Sequence, residues 1–230
     1  MTDTAILLVG GRGTRLGSIT DQTPKPLLEV AGRPFIFQIL DHLDSQGIKR
    51  VIFATGYLAL QFDAKVGSRY RDMKLLYSRE DTPLGTGGAL ARAFATCDDK
   101  RAYVLNGDTL FKADLGILGQ VHESQGADFS LVLRKVADAG RYGSIACMGY
   151  RVASMHEKGA SGPGSINGGI YLVDREALLT DAPAGAFSLE RDLLPRWVAR
   201  GAVAGVHSDA YFIDIGIPED LARIRQDLGR

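Results

Sequence analysis

The chain has little of what most specialised architectures need. Its 230 residues include two cysteines, Cys97 and Cys147, too few for a disulfide framework or a four-cysteine zinc site. The longest apolar runs, such as Ala5 to Val9, fall far below the ~18 residues that cross a bilayer. Neither sign of charge is in excess: Lys plus Arg and Asp plus Glu are both 27. That balance provides no basic surface for nucleic acid and no charged tail for a membrane. The opening residues MTDT have neither the basic region nor the apolar stretch of an export signal, so a cytoplasmic protein is expected. The four histidines, His42, His122, His156 and His207, are scattered and read as surface or structural. Glycine is the one residue in surplus, with 28 of 230 against an average near ~7%. It is clustered at Gly10, Gly11 and Gly13, at Gly85, Gly87 and Gly88, and at Gly168 and Gly169, where backbone must turn tightly or approach something closely. A chain of this length buries roughly 70–75% of its unfolded surface and needs no covalent staple.

Ala5-Ile6-Leu7-Leu8-Val9 and Val51-Ile52-Phe53-Ala54 are apolar throughout, as in strands covered on both faces of a parallel sheet. A helix is expected from near Pro34, with Phe35, Ile36, Ile39, Leu40 and Leu43 on one side and Gly47 as its cap. A short helix near Leu58 to Val66, a strand near Lys74 to Tyr77, a helix over Gly87 to Ala95 and a strand over Arg101 to Leu105 continue the alternation. The pattern predicts an α/β fold with a doubly wound, mostly parallel sheet, whose ligands bind beyond the carboxyl ends of the strands. The Gly10 loop and Asp108 both fall at that edge. In the second half Phe129 to Lys135, Ser144 to Cys147, Arg151 to Met155 and Ile170 to Val173 read as strands with few helices between them. They predict a small added antiparallel layer that carries a second substrate. Helices return at Leu189 to Ala199 and Pro218 to Leu228.

The segment Gly10-Gly11-Arg12-Gly13-Thr14-Arg15-Leu16 is a glycine-rich turn after a first strand, which presents backbone N–H groups to phosphate oxygens. No Gly-Lys-Ser/Thr closes it, so it is not a Walker A loop. Leu16 stands where a dinucleotide fingerprint has its third glycine, and no acidic residue ends the strand at Ala54-Thr55-Gly56. The loop instead carries Arg12 and Arg15, and Pro24 and Pro26 brace a third cation, Lys25. The plain alternative is a solvated basic loop. Asp108 ends Leu105-Asn106-Gly107-Asp108. A carboxylate there suits Mg²⁺, which takes one or two protein carboxylates plus phosphate oxygens, although a turn residue looks the same. Asp214, inside Phe212-Ile213-Asp214-Ile215-Gly216, calls for a metal or a cation beside it. Neither a Cys–His pair nor a G-x-S-x-G motif stands at a place suited to nucleophilic catalysis.

GGRGTRL followed by PKP, then LGTGGA, NGD, EK, NGGIY, FSLERDLLP and FIDIGIPED run in this order from Leu7 to Asp220. Together they resemble the sugar-1-phosphate nucleotidylyltransferases. Within that family YSRED–TPLGTGGA and the short length look most like the D-glycero-α-D-manno-heptose 1-phosphate guanylyltransferases. Val9 stands where the family usually has alanine before the glycines. The resemblance implies a Rossmann-like fold of the nucleotide-diphospho-sugar transferase type. It also implies one nucleotidyltransferase domain over residues 1–230, with a nucleotide-binding half at about 1–110 and a sugar-phosphate half at about 111–230. The reaction implied is transfer of GMP from GTP to a sugar 1-phosphate, with Mg²⁺ as cofactor and pyrophosphate as leaving group. Such chemistry is positioning and charge neutralisation, and needs no covalent nucleophile.

By the same resemblance, Arg15 and Lys25 neutralise the triphosphate, and Asp108 and Asp214 hold the Mg²⁺. Gly10, Gly11, Gly13 and Thr14, with Gly85, Thr86 and Gly87, line the nucleotide. Lys158 meets the sugar phosphate, while Glu157, Asn167 and the backbone of Gly143 bind the sugar. Read without it, Glu157–Lys158 is equally a surface ion pair and Asn167-Gly168-Gly169 equally a turn. Glu190 fits a helix start as well as a supporting role behind the site. Glu80 precedes the Gly85 loop, where relatives place a base-reading residue. A carboxylate only accepts hydrogen bonds, and guanine offers adjacent N1–H and 2-amino donors, whereas uracil and thymine offer one donor flanked by acceptors. That favours GTP. The alternatives are mannose 1-phosphate as acceptor, a uridylyl- or thymidylyltransferase on another sugar 1-phosphate, and an inactive regulatory subunit that binds a nucleotide sugar. The sequence leaves a homo-oligomer open.

Overall fold

The protein is represented by a computed structural model that describes residues 2–11, 20, 22–56, 58–156, 159 and 161–228. In chain order the elements are β1 (Thr4–Leu8), β2 (Glu29–Val30), β3 (Arg33–Pro34), α1 (Ile36–Ser45), β4 (Arg50–Thr55), α2 (Ala59–Val66), β5 (Arg69–Tyr70), β6 (Met73–Arg79), α3 (Gly85–Phe94), β7 (Arg101–Asn106), β8 (Thr109–Phe111), α4 (Leu115–Ser124), β9 (Phe129–Val136), β10 (Ser144–Met148), β11 (Arg151–His156), β12 (Gly164–Asp174), α5 (Arg175–Asp181), α6 (Leu194–Ala199), β13 (Val203–His207), β14 (Phe212–Asp214) and α7 (Pro218–Leu228). A 3-10 turn covers Lys25–Leu27 and a π turn covers Leu189–Leu193.

Ten strands form one sheet in the order β10-β11-β13-β9-β12-β7-β1-β4-β6-β5. The centre is parallel, β7-β1-β4-β6, as the continuous apolar runs require. Alternate residues serve opposite faces. Leu7, Val51, Phe53 and Leu105 pack with Ile36, Ile39 and Leu40 of α1, while Ile6, Ile52 and Val104 pack with Leu90 and Phe94 of α3 and with Trp197 of α6. Helices therefore cover both faces, and the carboxyl ends of the central strands are left as the open edge.

The second half brings the expected antiparallel strands, and they are added to the same sheet. Its strands do not stack as a separate layer. β12 runs antiparallel to both β7 and β9, β13 runs parallel to β9, and the β10–β11 hairpin closes the edge, so the sheet continues without a break. β12 is eleven residues long, far longer than Ile170 to Val173, because Gly168 and Gly169 interrupt its apolar pattern without ending it. Its register shifts between Asn167 and Tyr171. Gly168 sits so close to the Phe111 ring that a Cβ would lie 2.5 Å from it, and Gly169 has φ +74°. Glycine is what permits this bulge. Helices α4 and α5 were not expected. Asp114 caps α4 by accepting from the N–H groups of Gly116 and Ile117. The helix expected from near Pro34 starts at Ile36, because Pro34 pairs with Glu29 in the small β2–β3 hairpin. Among the described residues, no helix is long and apolar enough to cross a membrane.

Candidate active site

Four central strand ends converge on a cleft of about 700 Å³, lined among others by Gly10, Gly11, Lys25, Glu80, Thr86 and Asp108. The turn after β1 approaches the turn after β4 closely, since a Cβ on Gly10 would lie 3.2 Å from the Gly56 nitrogen. Lys25 opens its 3-10 turn and is only 8% exposed. Its ammonium lies 3.3 Å from Asp108 Oδ2, across 83 residues of sequence. Gly107 makes the approach possible. A Cβ there would lie 2.4 Å from Val9 Cγ1 and 3.3 Å from Pro26 Cγ, so the proline brace and the end of β1 close over the glycine that precedes Asp108. The Gly107 N–H donates to the Leu8 carbonyl at 3.0 Å.

Asp214 is brought beside Asp108 by the short β8–β14 ladder, in which Asp214 faces Thr109. The Ile215 N–H donates to the Asp108 carbonyl at 2.9 Å. Burial, and then the neighbouring charge of Asp108, hold the Asp214 carboxyl above the usual carboxylate range. The Gly216 N–H, donating at 2.7 Å, and the cations Lys25 and Arg141 work in the opposite direction. Two carboxylates so placed, one of them costly to ionise alone, suit a divalent cation that completes its shell with phosphate oxygens. Among the described residues, no group of three or more His, Cys, Asp or Glu side chains that could hold a metal ion is present.

The opposite wall carries Glu80, whose backbone N–H continues the β4–β6 ladder by donating to the Thr55 carbonyl. Its Oε2 accepts the Leu84 N–H at 2.8 Å, and its Oε1 would lie 3.5 Å from a Cβ on Gly10. One oxygen thus anchors the turn before α3, and the other faces the Gly10 side of the cleft. Gly85 and Thr86 line the cleft, but Gly87 does not. The Gly87 N–H donates to the Phe187 carbonyl at 3.1 Å, and a Cβ on Gly87 would lie 2.1 Å from the Phe187 ring. Gly87 is glycine because an aromatic ring packs on it, and its N–H is already used. Glu190, equally a helix start on sequence grounds, also lines the cleft. Its Oε2 accepts from the hydroxyls of Thr86 at 2.7 Å and Ser188 at 3.0 Å.

Asn167, expected to bind the sugar, is not among the residues lining the cleft. Its Nδ2 donates to the Tyr171 hydroxyl and its Oδ1 accepts the Gly169 N–H, each at 2.9 Å. It holds the β12 bulge over the fully buried Tyr171, whose hydroxyl burial pushes up in pKa. The Gly143 N–H donates to the Ala139 carbonyl at 3.0 Å, and Gly143 has φ +80°. Gly13, Thr14, Arg15, Glu157 and Lys158 lie outside the described residues. Sequence reasoning passed over Arg141. Its guanidinium meets Asp220 at 2.7 Å and Asp214 at 3.8 Å and stacks on Tyr142 with its carbon 4.7 Å from the ring centroid. The histidines are structural or peripheral. His122 is buried between Ser130 Oγ at 2.8 Å and Asp174 Oδ1 at 3.1 Å, while the exposed His156 and His207 pair with Ser154 and Ser165.

The nucleotidyl transferase family model matches residues 4–230. The chain is 39% identical over 224 residues to the D-glycero-α-D-manno-heptose 1-phosphate guanylyltransferase of Aneurinibacillus thermoaerophilus, covering 97% of each chain. It is 36% identical over 231 residues to the mannose-1-phosphate guanylyltransferase of Mycobacterium tuberculosis, covering 98% of this chain and 64% of that one. The crystal structure of HddC from Yersinia pseudotuberculosis complexed with GMP-PN superposes with a TM-score of 0.85 at 34% identity, over 97% of this chain and 98% of that one. With the parallel core, the open strand edge and the Lys25–Asp108–Asp214 cluster in place, the chain belongs to the nucleotidyl transferase family.

Proposed function

We propose that the protein transfers GMP from GTP to D-glycero-α-D-manno-heptose 1-phosphate, giving GDP-heptose and pyrophosphate. The observation that carries this reading is the meeting of Lys25, Asp108 and Asp214 at one rim of a cleft whose far wall presents Glu80. Residues 1–110 supply the nucleotide side and residues 111–230 the sugar-phosphate side, within one domain that acts in the cytoplasm.

An oxygen of the sugar phosphate attacks the α-phosphorus of GTP. One P–O bond forms, the bond from the α-phosphorus to the α–β bridging oxygen breaks, and pyrophosphate leaves. The nucleophile is already ionised, so no general base is needed, and the site holds no histidine in a position to act as one. The barrier is charge. Lys25 faces the α-phosphate, where its buried ammonium acts at low effective dielectric. Asp108 and Asp214 would hold Mg²⁺, which would supply charge neutralisation when bound. Asp108, paired with Lys25, keeps that cation oriented before substrate arrives. Gly10 and Gly11, with Gly13, Thr14 and Arg15, bind the triphosphate. Glu80 Oε1 accepts from guanine, while Thr86 holds Glu190 at the cleft wall. Lys158 and Glu157 meet the sugar phosphate. Asn167 shapes the floor through Tyr171.

The test is pyrophosphate release with ATP, GTP, UTP and dTTP crossed with heptose, mannose and glucose 1-phosphates. The highest kcat/KM is expected for GTP with heptose 1-phosphate. Preference for a pyrimidine would overturn the guanine assignment, and faster turnover of mannose 1-phosphate would overturn the heptose assignment. Nucleotide-sugar binding without turnover of any pair would indicate a regulatory subunit.

A further inference from the structure

We infer that Arg141 receives the phosphate of the incoming sugar 1-phosphate. The inference rests on the proposed function and assigns one of its binding residues. Arg141 lies in the turn between β9 and β10, two residues before Gly143. Both of its ion pairs use the same nitrogen: Nη2 is 2.7 Å from Asp220 Oδ2 and 3.8 Å from Asp214 Oδ2. The hydrogen bond to Asp220 is donated through the same Nη2. The guanidinium also stacks on the Tyr142 ring, which fixes its plane. The acids hold the guanidinium through Nη2, while its remaining N–H groups are donors that phosphate oxygens can accept.

Position argues for that ligand. Asp214 is one of the two carboxylates assigned to the metal, so a cation 3.8 Å from it stands where the attacking phosphate must come. The side chain is 37% exposed, whereas its partners Asp214 and Asp220 are 16% and 15% exposed. The acids are sunk, and the cation forms the lip above them. The backbone around it is clipped as well. Asp138 accepts the N–H groups of Gly140 and Gly162, each at 3.0 Å, and the Gly159 N–H donates to the Gly140 carbonyl at 3.0 Å. Gly140 directly precedes Arg141, and Gly159 directly follows Lys158. The Arg141 turn is thus tied to Gly159, which follows β11. A plain structural ion pair would need only Asp220. The second carboxylate, the stacked ring and the clipped turn hold the guanidinium beside the reacting groups.

The test measures kcat and both KM values for wild type, Arg141→Ala, Arg141→Lys and Asp220→Asn, with GTP and heptose 1-phosphate, alongside melting temperature and a Mg²⁺ titration. Arg141→Ala is expected to raise the KM for the sugar phosphate roughly ten- to a hundredfold, the scale of a lost charged hydrogen-bond pair, with the KM for GTP within about twofold. Arg141→Lys keeps the charge without the fork, and a rise of several-fold is expected. That variant carries the test if the alanine variant does not fold. Asp220→Asn loosens the held edge and should raise the same KM by less than Arg141→Ala. An unmoved KM for the sugar phosphate in an active Arg141→Ala enzyme would overturn the assignment. So would a lower kcat with a raised Mg²⁺ requirement and both KM values intact, which would mean that Arg141 acts only by holding Asp214. Absence of turnover by wild type with every sugar phosphate would remove the functional reading and this assignment with it.

Discussion

Replacing Gly107 by alanine tests how the catalytic rim is assembled. The new methyl would lie 2.4 Å from Val9 Cγ1, 3.0 Å from the Leu8 carbonyl oxygen and 3.3 Å from Pro26 Cγ. The first contact is more than 1 Å inside the usual ~3.5–4.0 Å carbon–carbon separation, so something must move. Gly107 is not among the residues with positive φ, so the cost is steric, with no conformational part. Overpacking of this size costs about 1–3 kcal/mol. At roughly 2–4 °C per kcal/mol for a chain of this length, the melting temperature should fall by about 2–12 °C. Val9→Ala alone leaves a small cavity at about 1–3 kcal/mol. In the double variant the alanine methyl at 107 enters the space that the valine vacates. The double variant should then be no less stable than Val9→Ala, a coupling of about 1–3 kcal/mol against the ~0.5 kcal/mol that independent sites tolerate. Denaturant melts of the four proteins measure it. Because Asp108 is the next residue and pairs with Lys25, kcat should fall in Gly107→Ala and partly return in the double variant. Simple additivity of the two stability changes would refute the steric account, and unchanged kcat in Gly107→Ala would show that the rim does not depend on this brace.

Four further outcomes are expected. Glu80→Gln should cut kcat/KM for GTP by roughly ten- to a hundredfold and narrow the gap to UTP, because an amide presents donors where guanine needs an acceptor; an unmoved ratio would place base reading elsewhere. Lys25→Ala should lower kcat more than it raises the KM for GTP, which steady-state kinetics separates. Asp214→Ala should lose turnover by orders of magnitude with its circular dichroism spectrum intact, and EDTA should do the same to wild type. Asp214→Asn should instead raise the melting temperature near pH 7. A carboxyl held above its usual pKa by burial opposes folding once ionised, so the gain should shrink as pH falls from the raised folded value towards the ordinary carboxylate value near ~4 and vanish below it.

Asp108 and Asp214 were legible because each interrupts or ends an apolar run, and the parallel sheet decides that such points share an edge. Lys25 was legible because two prolines flank it. Arg141 was not, since an arginine in a loop is among the commonest surface features and only the β8–β14 ladder reveals what it faces. Gly85 to Gly88 illustrate a mixed signal. The cluster marks close approach correctly, but Gly85 and Thr86 face the cleft while Gly87 lies under Phe187, a residue a hundred positions away. Strand β13 escaped notice because Val203 to His207 contains Gly205. A Cβ there would lie 2.9 Å from Leu133 and 3.0 Å from Cys147, so packing selects the residue that strand propensity disfavours.

The unbroken sheet has a mechanical consequence. β12 is bonded to β7 on one side and β9 on the other, so the two halves of the chain are rungs of the same ladder. A rigid-body swing between them would break backbone hydrogen bonds along an entire strand. The gap across which the attacking oxygen must travel is therefore fixed by the sheet itself. Adjustment to different acceptors falls to the turns at its open edge, of which the Asp138-clipped turn bearing Arg141 is one. Acceptor preference in this protein should thus change through turn residues, with the spacing between the two phosphates held constant.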